Sequence, residues 1–142
     1  MANAYIKLVP ASTSQSITLE EVKDLFTYYK EITSKTGQQL SWEYGSAAFP
    51  YLIKEVDTVN NWLYLKSDDP VYNAIVVGVG TEEIEDEDGS TREQSYIQVT
   101  LPQVSTFGDK GKANEFCKYL AKKVEGELHL FNGRIMYFYK RK

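Results

Sequence analysis

Cysteine is nearly absent from this chain, and the absence removes whole classes of function. Cys117 stands alone, so it can form no internal disulfide and no multi-thiolate metal site, and a reducing cytoplasm is the expected location. Long apolar runs are missing too. No window approaches the roughly 18 apolar residues of a membrane span, and "MANAYIKLVP" lacks the basic stretch and apolar core of an export signal. Neither a membrane position nor export by that route is expected. Nor is there a surplus of positive charge. A net charge of −4 argues against global attraction to nucleic acid or anionic lipid. Metal-ligand spacings, Ser/His/Asp arrangements and the glycine fingerprint of dinucleotide sites are all lacking, so no metal and no cofactor are expected.

What is present reads as one globular domain spanning residues 1–142. A chain of this length buries roughly two-thirds of the surface its unfolded form exposes, which suffices for a core without staples. Tyrosine is the abundant exception, at 11 copies. Its apolar body and polar tip suit half-wet surfaces, binding faces among them.

"AYIKLV" (4–9) alternates as a strand and stops at Pro10. "ITLEEVKDLFTYYKEITSKTG" predicts a helix over 18–36: Thr18 and Glu21 form a capping box, Val22, Leu25, Phe26, Tyr29 and Ile32 recur at helical spacing, and Gly37 supplies the stop. Tyr51, Ile53 and Glu55 alternate as a short strand. "NWLYLKS" (61–67) and "VYNAIVVGVG" (71–80) read as strands around the turn "SDDP". "TEEIEDEDGSTREQ" reads as a hydrophilic ribbon with Asp88-Gly89 at its tip, and "SYIQVTL" (95–101) as the returning strand. A second amphipathic helix is predicted over 109–125 with Ala113, Phe116, Cys117, Leu120, Ala121 and Val124 on its stripe, ending at Gly126. Asn132-Gly133 then predicts a type I′ turn between "ELHLF" and "RIMYFYK".

This order predicts an α+β fold: a two-layer sandwich of a mainly antiparallel sheet with both helices on one face. If Leu8, Leu63, Leu65, Ile97, Val99, Leu128 and Leu130 point at the helices, the opposite face carries Tyr5, Lys7, Trp62, Tyr64, Lys66, Tyr96, Gln98, Thr100, His129, Phe131, Tyr137 and Tyr139. Such a face must be solvated, covered by 38–60, or used for binding. The sequence leaves those alternatives open.

"AYIKLVP", "AAFPY" and above all "FGDKGKANEFCKYLAKKVEGELHLFNGRIMYFYKRK" resemble a family of small uncharacterised proteins from Bacillus and its relatives, defined only as a domain of unknown function. The resemblance spans the whole chain and implies a cytoplasmic bacterial α+β domain. It implies no activity, cofactor or catalytic residue.

Four stretches of the sequence invite a chemical reading. Gly108, Lys110, Gly111 and Lys112 form a G-x-x-G segment with two lysines at the predicted start of the second helix, a candidate anion cradle. The bland reading is that the glycines shape a turn and Asp109 caps the helix. "EEIEDEDG" fails the calcium-loop pattern, since Ile84 and Ser95 stand where ligands are needed. Cys117 sits on an apolar stripe, where a thiol acts as a small hydrophobe. His129 lies on the outer face of a strand, where surface histidines are common.

Three functions from different classes follow. The first is a non-catalytic binding or self-association module using the tyrosine-rich sheet face, with Tyr64, Tyr96, His129, Tyr137 and Tyr139 as its residues and a partner protein or second copy as its ligand. The second is a single-stranded nucleic-acid binder, with bases stacking on those aromatics beside Lys7, Lys66 and the "KRK" tail. The third is a small enzyme with a scattered site. Acidic pI lowers the second, and the missing catalytic constellation lowers the third.

Overall fold

The computed structural model describes residues 2–40, 49–57, 59 and 61–140, and the backbone alone for 34–40 and 55–57. In chain order the elements are β1 (Ala2–Lys7), α1 (Leu19–Leu40), β2 (Leu52–Asp57), β3 (Trp62–Lys66), β4 (Ala74–Glu85), β5 (Thr91–Leu101), α2 (Phe107–Val124), β6 (Glu127–His129) and β7 (Ile135–Tyr137). They build a seven-stranded open sheet in the order β2-β3-β4-β5-β1-β6-β7. Every pairing is antiparallel. Hairpins link β2 through β5, whereas β1 is reached only through long-range pairing, with β5 on one side and β6 on the other.

Period-two alternation decides which face is buried. Ala4 and Ile6, Leu63 and Leu65, Ile75 and Val77, Ile97 and Val99, and Leu128 all point the same way and are at most 1% exposed. Val22 and Phe26 of α1 and Ala113, Phe116, Cys117, Leu120 and Ala121 of α2 close over them in one core. The structure is therefore an α+β sandwich with both helices on one side of the sheet. Phe49 and Tyr51 also turn to that side, where rings of Phe26, Tyr29, Phe49, Tyr51 and Phe116 meet at centroid distances of 5.4 to 6.1 Å. Other parts of the 38–60 stretch lie outside the described residues, at 41–48, 58 and 60.

Local chemistry explains the helix starts. Thr18 N–H donates to Glu21 Oε1 and Glu21 N–H donates to Thr18 Oγ1, each at 3.1 Å, so the expected capping box exists. At α2 the cap is Thr106 rather than Asp109, and Asp109 is the third residue of a second capping box. The helix thus begins at Phe107, two residues before the expected start. Its left-handed C-terminal residue is Glu125 (φ 51°), not Gly126. Gly126 serves close approach instead, because a Cβ there would lie 2.9 Å from the Lys7 carbonyl oxygen.

Two other expectations are corrected. Helix α1 continues through Gly37 to Leu40, since one interior glycine costs only about 1 kcal/mol. The 130–134 turn is not type I′. That turn needs positive φ at both central residues, and here Gly133 (φ 87°) has it while Asn132 does not. Leu130 N–H donates to the Arg134 carbonyl and Gly133 N–H to that of Leu130, the pattern of a three-residue loop with a left-handed glycine. Gly89 closes the β4–β5 hairpin by the same pattern. The loop directs Phe131 against the core rather than onto the outer face.

Candidate binding surface on the outer sheet face

The face turned away from the helices can be read off the register. One cross-strand row runs Trp62, Gly78, Gln98, Tyr5, His129, Ile135. The next runs Gly80, Tyr96, Lys7, Glu127, Tyr137. A third carries Tyr64, Val76, Thr100 and Asn3. Aromatic, amide and hydroxyl side chains thus share one surface, and Trp62 and Tyr137 are 42% and 44% exposed on it.

Two glycines give this surface its relief. Gly78 and Gly80 sit two apart on β4, so both empty positions fall on the same face. Above them lies a groove of about 460 Å³, lined by Asn61, Trp62, Val76, Thr81, Tyr96 and Gln98 among others. Tyr96 leans across Gly80: a Cβ there would lie 2.6 Å from the phenol oxygen and 2.7 Å from Cζ. The ring is held edge-on to Tyr5, with centroids 5.7 Å apart and planes at 74°. Beside it, Gln98 Nε2 donates to Asn3 Oδ1 (3.2 Å) and Thr100 Oγ1 (3.1 Å), and the Thr100 hydroxyl donates to Asn3 Oδ1 (2.7 Å).

The five face residues named from the sequence separate into two regions. Tyr96 walls the groove, and Tyr64 on β3 shares the row of the groove residues Val76, Thr100 and Asn3 without lining the groove itself. His129, Tyr137 and Tyr139 gather at the other end of the face. His129 Nε2 lies 2.8 Å from Glu127 Oε1, the Tyr139 hydroxyl donates to Glu127 Oε2 at 3.1 Å, and the Tyr137 and Tyr139 rings meet edge to face at 5.8 Å. Two cations on this surface are engaged: Lys7 Nζ is 3.1 Å from Glu82 Oε1, and Lys66 donates to Asn73 Oδ1. Lys54, opposite Tyr64 on β2, is exposed on the same face.

Gly108, Lys110, Gly111 and Lys112 all lie in the first turns of α2. The side chain held by this helix start is a carboxylate. Asp109, fully buried, accepts from the Tyr51 hydroxyl (2.6 Å), from Asn73 N–H at both oxygens (3.0 Å), from Ala74 N–H (3.1 Å) and from Thr106 N–H (2.9 Å). Burial pushes its pKa up, but the hydrogen bonds from Tyr51, Asn73, Thr106 and Ala74 outweigh burial and hold the carboxyl below its ordinary range. Burial, then Asp109, drives the Tyr51 phenol upward. Lys112 pairs with Glu115 at 3.1 Å, and a Cβ on Gly108 would strike the Val71 carbonyl at 2.6 Å. Cys117 is fully buried, and burial pushes its thiol up to about 12.

The model of a domain of unknown function, DUF1885, matches residues 2–140. The chain belongs to that family. A solved structure, a protein of unknown function from Bacillus stearothermophilus, is 42% identical, covers 89% of this chain and 92% of its own, and superposes with a TM-score of 0.57. A comparison with curated proteins finds no match. Among the described residues of this DUF1885 chain, no helix is long and apolar enough to cross a membrane.

Sequence reasoning passed over two features of this DUF1885 chain. The groove floor was signalled by "VVGVGT", two glycines at strand spacing. The Asp109 hub was signalled by Thr106-x-x-Asp109, a capping-box spacing ahead of an apolar stripe. A second cleft, of about 630 Å³, lies by the helices among Tyr29, Ile32, Tyr119, Lys122, Lys123 and Phe138.

Proposed function

We propose that this chain is a non-catalytic binding module, acting as a single cytoplasmic domain, whose outer sheet face receives a partner protein or a second copy of itself. The observation that carries this reading is the relief and exposure of that face: Trp62 flanks a glycine-floored groove at one end, and Ile135 and Tyr137, each 44% exposed, stand at the other. Apolar surface of this kind on the solvent side of a sheet favours association. That Cys117 is a lone cysteine and is buried supports the cytoplasmic assignment. The engagement of Lys7 and Lys66 in side-chain pairs weighs against a phosphate-tracking surface, and the high pKa of the Cys117 thiol weighs against a cysteine nucleophile.

Sedimentation of the wild type and of Ile135→Ser/Tyr137→Ser tests self-association. We expect a concentration-dependent dimer across roughly 10 to 300 µM, and a monomer for the double variant. A wild type that remains monomeric throughout refutes pairing through this face.

A further inference from the structure

The groove over Gly78 and Gly80 carries chemistry that its role as a surface does not use. Among the described residues that line it none is charged, and the polar ones are Asn3, Asn61, Thr81, Tyr96, Gln98 and Thr100. An anionic or cationic ligand would find no counter-charge there, so the fitting ligand is neutral. The floor excludes another mode. Gly78 and Gly80 belong to β4, whose backbone is laddered to β3 and β5, so an extended peptide cannot add as a strand. Recognition must come from side chains alone.

Those side chains offer two kinds of contact. The first is aromatic: Trp62 and Tyr96 flank the trough from β3 and β5, on the two sides of β4 and in adjacent cross-strand rows. The second is polar. In the network of Asn3, Gln98 and Thr100, the bonds use Asn3 Oδ1 and Gln98 Nε2, which leaves Asn3 Nδ2 as a donor and Gln98 Oε1 as an acceptor. A donor and an acceptor within one cluster suit a ligand rich in hydroxyls, since each hydroxyl both donates and accepts. The volume of about 460 Å³ lies within the usual small-ligand range of roughly 300–1,000 Å³.

We propose that the groove binds a neutral sugar ring, whose C–H face packs on Trp62 or Tyr96 while its hydroxyls bond Asn3 and Gln98. The proposal rests on reading the outer face as a binding surface and names a ligand class for one part of it.

The two tryptophans allow a local test. The chain is labelled with 5-fluorotryptophan, its two resonances are assigned with Trp62→Phe, and maltotriose, cellotriose and N,N′-diacetylchitobiose are titrated to about 20 mM, the range of weak binding. We expect at least one sugar to shift the Trp62 resonance saturably, with equal affinity at low and high salt. Asn3→Ala/Gln98→Ala, which retains the reporter, should weaken that binding about tenfold. Thermal melting checks that this variant is folded, and single Asn3→Ala replaces it if it is not. Silence of the Trp62 resonance with all three sugars overturns the sugar assignment and leaves the face-association reading to sedimentation. Unchanged affinity in the amide variant overturns the placement in the groove. A salt-sensitive response to oligothymidylate, or a response to a neutral blocked peptide, in place of the sugars overturns the ligand class.

Discussion

Replacing Asp109 by alanine removes one acceptor from four donors. The Tyr51 hydroxyl and Ala74 N–H are buried, and Asn73 and Thr106 are half-buried, so water replaces the lost oxygen only in part. An orphaned buried donor costs about 1–3 kcal/mol, so two of them, with partial losses at the others, sum to about 3–5 kcal/mol. Small domains are stable by about 5–15 kcal/mol, and the variant should stand near its unfolding threshold. Asp109→Asn keeps one acceptor oxygen and should lose about half as much, and Tyr51→Phe, which removes one donor and leaves three, about 1 kcal/mol. Urea unfolding followed by circular dichroism reads these differences at constant slope. The pH dependence has a definite sign. Asp109 has a folded pKa below its ordinary 3.8, so its contribution is complete above that value and is lost as pH falls through the lower folded value. The gap between wild type and Asp109→Asn should therefore be flat from neutrality to about pH 5 and narrow below about pH 4. A loss under about 1 kcal/mol for the alanine variant, or a gap that widens in acid, would refute the hub.

Gly80→Ala should cost about 1–2 kcal/mol by displacing the Tyr96 ring, and it should be nearly neutral in a Tyr96→Ala background; additive losses in a double-mutant cycle would contradict the packing. Shortening the ribbon beyond Ile84 and Arg92 to a tight turn should change stability by less than about 1 kcal/mol, provided Glu82 remains to pair with Lys7 and Gln94; a larger fall in melting temperature would show that the tip packs on something. With its thiol at about 12 and fully buried, Cys117 should resist a thiol-labelling reagent at pH 8 in the native state and react on unfolding. Rapid native labelling would mean that the α2 stripe opens.

Period and punctuation in the chain were enough to define the α+β class, both helices, the helix-facing residues and the Thr18–Glu21 cap. These are local matters: alternation at two or 3.6 residues and a side chain reaching three positions along are written in adjacent letters. Outward Trp62, Tyr64, Tyr96 and His129 followed from the same alternation. The tertiary structure alone decided what those letters are used for. Gly37 was overridden because a single weak residue cannot end a helix that neighbouring turns continue. Asp109 became a hub because the 71–74 loop and Tyr51 converge on it from 35 to 58 residues away. Tyr96 found its seat because β4 pairs with β5 so that Gly80 stands directly opposite. The groove needs β1 beside the hairpin-linked β3, β4 and β5, and the place of β1 is set by long-range pairing between β5 and β6, which no local pattern encodes.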